Sequence, residues 1–237
     1  MKHVLLLSLS ILLGVGAAVN ARTVAKPGPL PQMVLSGGDA ATQLQFVRLS
    51  SAVAKRDWQA ALTTALELTM HPVVDKDGVI YPTACYMEVA SLYQLRDYEA
   101  VVKRASEVIN NRDIKASGAQ QGLSSRQAAS FNGHVYYFLM DSYIRLSEQA
   151  SALQVFEEYI ARFSDPAESD SSAATAMCYT AIRLRIDRAL ADKKAEELAA
   201  AQKCFDYWRE HGITWDGKYA AAEQLVAEAQ QKLQSEK

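Results

Sequence analysis

The phrase "AKRDWQAAL" at residues 54–62 returns in altered form as "QLRDYEAVV" at residues 94–102. Arg56-Asp57-Trp58 becomes Arg96-Asp97-Tyr98, and a small-and-apolar run follows each time at helical spacing. A polar joint repeated between apolar-periodic stretches commits the chain to helical hairpins, because a helix hides its apolar stripe by folding back on a neighbour. The period stays helical from residue 40 almost to the end, and no alternating strand pattern breaks it. The spacing predicts paired helices at Ala40–Lys55 and Trp58–Met70, at Thr83–Leu95 and Tyr98–Asn110, and at Arg126–Leu146 and Gln149–Phe163. A further pair covers Ser172–Leu190 and Lys193–His211, and a last helix, Lys218–Gln234, stands alone. The fold class is all-α.

The inward positions of these pairs share one spacing. The first pair offers Phe46, Leu49, Ser50 and Val53, then Ala61, Ala65 and Leu68. The second offers Tyr86, Val89, Ala90 and Tyr93, then Val101, Ala105 and Val108; the third offers Tyr136, Leu139, Met140 and Tyr143, then Ala152, Phe156 and Tyr159. An aromatic, an aliphatic three residues on and a small residue at the close approach is a pattern that resembles the tetratricopeptide repeat (TPR), a helix-turn-helix unit of about 34 residues. The resemblance runs over residues 40–211 and departs from the family in two ways. The first two joints are one residue short and lack the usual glycine, and the repeat spacing is lengthened by insertions. It implies a right-handed helix-pair solenoid of three to four repeats. Asp57 and Asp97 would cap the second helix of their pairs, with Glu148 and Asp192 in the similar place later. The last helix carries Tyr219, Ala222, Leu225, Val226, Ala229 and Leu233 on one stripe and polar residues elsewhere, as a solenoid's capping helix requires.

The first residues read differently. Lys2, an apolar run from Val4 to Val15 and the small residues around Val19-Asn20-Ala21 have the order of a signal peptide, with cleavage after Ala21 or after Ala18. The run is shorter than the roughly 20 residues a membrane span needs. The expected organisation is a signal peptide at 1–21, a flexible linker at 22–38 rich in Pro and Gly, and a TPR-like helical domain at 39–237. The chain is then exported, to the periplasm or beyond, and its cysteines meet an oxidising compartment. Cys178 and Cys204 are symmetric about position 191 in the turn of the fourth pair. Two readings fit them equally, a disulfide or two small buried hydrophobes. Cys85, on an apolar helix face, reads as core.

A net charge of −2 with no run of Lys or Arg leaves no footprint for nucleic acid or anionic lipid. His71, His134 and His211 have no metal-ligand spacing, and "DKDG" at 75–78 lacks the further ligands of a calcium loop. No catalytic motif and no cofactor site is expected. What remains is a surface. In the TPR family the first helices of successive pairs line a concave groove, which places Leu44, Val47 and Ser51, then Ala84, Met87, Ser91 and Gln94, then His134, Tyr137, Asp141 and Ile144 at that face. Met87, Ser91, His134, Tyr137 and Asp141 are the partner-binding candidates, with Tyr137 and Asp141 as the contact residues. The resemblance implies a non-catalytic protein-binding scaffold or adaptor of the cell envelope that takes a protein or peptide segment. The face could equally be packed by the chain's own Pro29–Val34. A helical domain tied to cell-wall glycan or peptide processing, built around Glu88, and a self-assembling structural protein are the other two readings.

Overall fold

A computed structural model of the chain describes residues 40–70, 80–110, 125–163, 171–210 and 218–235. The expected signal peptide and linker, the "DKDG" turn, His71, His211 and the stretch 111–124 lie outside them. Among the described residues run nine α-helices and no strand: α1 (Ala40–Ala54), α2 (Trp58–Met70), α3 (Ile80–Gln94), α4 (Tyr98–Asn110), α5 (Ser125–Arg145), α6 (Gln149–Arg162), α7 (Ser171–Asp192), α8 (Ala195–Glu210) and α9 (Lys218–Ser235). The protein is all-α. Helix α3 begins three residues before the expected Thr83 and takes Pro82 into its first turn. Proline is tolerated there because a first-turn N–H has no partner within the helix.

The helices group into two compact units, one reaching Phe138 and the other starting at Leu139. In the first, the seven inward positions of the α1–α2 hairpin and the seven of the α3–α4 hairpin are all buried. Tyr86 and Tyr93 of α3 set their rings 6.3 and 4.7 Å from that of Phe138 on α5, and Tyr98 meets Tyr93 edge-on at 6.0 Å. In the second unit α6 buries Ala152, Phe156 and Tyr159. Helix α9 lies against α7 and α8 through Ala222, Val226 and Ala229, and Tyr219 packs on Phe205 at 4.9 Å and edge-on to Trp208 at 5.8 Å. The small alanines let α9 approach, and the aromatic trio fixes its start.

One joint is built four times. Arg56, Arg96, Ser147 and Lys193 each stand in the left-handed region, at φ of 58, 63, 64 and 54°. The next residue in each case, Asp57, Asp97, Glu148 or Lys194, donates its backbone N–H to the carbonyl five residues back, at 2.9, 3.1, 2.8 and 3.1 Å. This is the Schellman closure, which satisfies a helix-end carbonyl and turns the chain. Asp57 and Asp97 then cap α2 and α4, their Oδ1 atoms accepting from the N–H of Ala60 at 3.1 Å and of Ala100 at 3.2 Å. The later joints depart from the expectation. Glu148 accepts from the Ser151 hydroxyl and caps no backbone N–H. Asp192 lies inside the last turn of α7 and pairs with Lys194 Nζ at 3.2 Å, so Lys194 holds the capping place.

A non-glycine residue in the left-handed region costs about 1–2 kcal/mol through crowding of its Cβ. Glycine removes that crowding but gains freedom in the unfolded chain. Arg96→Gly should therefore stabilise the first unit by a net of about 0.5–1 kcal/mol. Urea unfolding would show it as a raised midpoint at unchanged slope; a lowered midpoint would mean the Arg96 side chain makes a compensating contact.

Candidate functional site

The five expected groove residues do not form one open face. Met87 is 2% exposed and Ser91 fully buried, as is Ala84. Helix α3 is buried on nearly every side, packed by α2 and α4 and by Phe138 and His134 of α5. A helix buried on nearly every side is an internal helix, and that closes the middle of the expected groove. The other three candidates are half-buried on α5. His134 meets Tyr86 edge-on at 6.2 Å, Tyr137 lies 5.9 Å from Phe138, and Asp141 accepts from Arg145 Nε at 3.1 Å one turn on. Tyr137 belongs to the first unit and Asp141 to the second. On α1 the expected positions are open: Leu44 is 52% exposed, Ser51 is exposed and Val47 half-buried.

The first unit holds a polar cluster that the sequence did not announce. Tyr81, Cys85 and Glu88 share one face of α3 and meet Arg104 of α4. The Arg104 Nη2 atom lies 2.9 Å from Glu88 Oε2 and 3.8 Å from Cys85 Sγ, while Nη1 holds Glu107 at 2.9 Å. Burial pushes the Glu88 carboxyl above its usual range although Arg104 pulls the other way. Burial likewise raises the Cys85 thiol, to about 11 with Arg104 again opposing, and the Tyr81 hydroxyl beside it. A thiol so raised is a poor nucleophile. Glu88, around which a glycan-processing site would be built, is committed to an ion pair. The signal available in the sequence was register: Glu88 and Arg104 stand eight residues either side of the joint residue Arg96.

The second unit has a counterpart. Arg185 of α7 reaches Glu157 of α6 with Nη2 and Glu197 of α8 with Nη1, the latter at 3.0 Å, and Arg188 Nη2 adds a second cation to Glu197 at 2.8 Å. Burial raises the Cys204 thiol, and the Arg185 guanidinium pulls the other way. Both clusters tie helices together with charge-assisted bonds.

Among the described residues no group of three or more His, Cys, Asp or Glu side chains is set to hold a metal, and no helix is long and apolar enough to cross a membrane. Among the described residues the exposed large hydrophobics are Leu44, Leu66, Met70 and Leu95, all in the first unit, with Met70 79% exposed at the end of α2. No family model, no curated protein and no solved structure matches this chain.

Proposed function

We propose that this chain is an exported, non-catalytic scaffold of the cell envelope, a TPR-like stack of helix pairs closed by α9 that takes a segment of a partner protein. The observation that carries the reading is the joint built four times over among the described residues, with a left-handed residue at the same position and the same five-residue hydrogen bond. A chain that repeats one hairpin in this way stacks neighbouring units to bury their faces. Partner contact falls first to Leu44 and Ser51, exposed on α1, with the half-buried Val47 between them; Tyr137 and Asp141, half-buried on α5, are a second candidate pair. An apolar side chain on an exposed helix face receives an apolar anchor from a partner, with the polar residues around it setting the orientation.

The test is crosslinking in intact cells, with the native chain run beside Leu44→Asp and beside a Tyr137→Ala, Asp141→Ala double variant. All three lie on exposed or half-buried positions, so the variants keep the core. The expected result is one envelope protein recovered by the native chain and lost from at least one variant, with recovery down tenfold or more for an anchor worth about 1.4 kcal/mol. Equal recovery by the native chain and both variants would sink the reading.

A further inference from the structure

The one sequence feature that the scaffold reading leaves unused is the pair of cysteines in the last hairpin. Helices α7 and α8 are antiparallel neighbours joined at Lys193. The Arg185–Glu197 ion pair at 3.0 Å marks the register between them. Four residues back along α7 is Ala181 and seven back is Cys178; four residues on along α8 is Ala201 and seven on is Cys204. On antiparallel helices both steps run toward the same end, and steps of four and seven return to the same face. Ala181 and Ala201 are fully buried, so no bulky side chain holds the helices apart beside the cysteines. Cys178 and Cys204 are buried too, and all three cysteines of the chain stand as thiols. Burial raises the Cys178 thiol most and Cys204 adds to it, in keeping with that register.

We propose that Cys178 and Cys204 are an oxidation site, closing to a disulfide that staples α7 to α8, while Cys85 stays a thiol. The chemistry is exchange with a small disulfide such as oxidised glutathione. Cys204 loses its proton to solvent while the chain is still open, before burial raises the thiol, and attacks. One glutathione leaves as its thiol and a mixed disulfide remains. The Cys178 thiolate then attacks the Cys204 sulfur and expels the second glutathione. Two protein thiols are oxidised, one glutathione disulfide is reduced to two thiols, and the balance is complete. Cys85 has no part in this, being held in the first unit against Arg104.

The experiment is done on the purified chain and so stands or falls apart from the scaffold reading and from where the protein resides. The chain is unfolded, refolded in a glutathione buffer, then denatured and alkylated with N-ethylmaleimide. One adduct is expected, on Cys85, along with a linked peptide containing Cys178 and Cys204; prior reductant should restore three adducts. Cys85→Ser should give none when oxidised and two when reduced. Three adducts after oxidative refolding, a mixed glutathione adduct left on either cysteine, or a bridge that includes Cys85 would each overturn the assignment.

Discussion

Arg185→Met will lower the stability of the second unit by about 3 kcal/mol, the lower end of the cost of breaking a buried ion pair. Methionine keeps most of the apolar stem and fills the space, so the loss isolates the guanidinium. That group is only 13% exposed and ties three helices, reaching Glu157 on α6 and Glu197 on α8 from its place on α7. Without it Glu197, 11% exposed, keeps Arg188 alone, and a buried carboxylate is left with half its compensation. Glu157→Gln serves as the control, because that carboxylate is mostly in water and its loss should cost less than about 1 kcal/mol. Hydrogen exchange read on α7 and α8 peptides would measure both without interference from the first unit. A loss no larger than that of Glu157→Gln would mean that Arg188 alone satisfies Glu197.

Arg104→Met will destabilise the first unit by about 2 kcal/mol at neutral pH, below the roughly 3–5 kcal/mol of a fully buried pair because the guanidinium is partly in contact with water. The pH dependence distinguishes this from lost packing. Glu88 has its folded pKa raised by burial. Such a group contributes its full stability below the unfolded carboxylate pKa and loses it as pH rises through the folded pKa. Removing Arg104 takes away what opposes the burial, so the folded pKa climbs further and the defect grows with pH. The loss should therefore shrink as pH falls toward the ordinary glutamate pKa, and Glu88→Gln placed on the Arg104→Met background should recover most of it at neutral pH. A defect constant from acid to neutral pH, with no recovery in the double variant, would assign Arg104 a packing role instead.

Much of the core could be read from the period of the chain. Phe46, Leu49, Ser50 and Val53 are buried together because residues three and four apart share a helix face, and the same holds for Tyr86, Val89, Ala90 and Tyr93. Asp57 and Asp97 were legible as caps for a local reason, since an aspartate after a helix end has the N–H of the third following residue within reach. The last joint was harder. Asp192 and Lys194 are both polar and both near the turn, and only the left-handed backbone at Lys193 decides that α7 runs on past Asp192.

The groove was legible only in part. Met87 and Ser91 lie where a TPR-like first helix would face solvent, yet they are buried; periodicity tells which residues share a face but not what stands against it. Leu44, on the matching face of α1, stays open. The ion pairs were hidden for a related reason. Glu88 and Arg104 are sixteen residues apart in sequence, and their meeting depends on the α3–α4 register.

Helix content, hairpin joints and inward stripes followed from local spacing, because backbone hydrogen bonds and side-chain periodicity act within a few residues. Which stripe ended buried on nearly every side and which charges met depended on contacts between helices. Those contacts are made by residues distant in the chain, and only the packed tertiary structure brings them to one place.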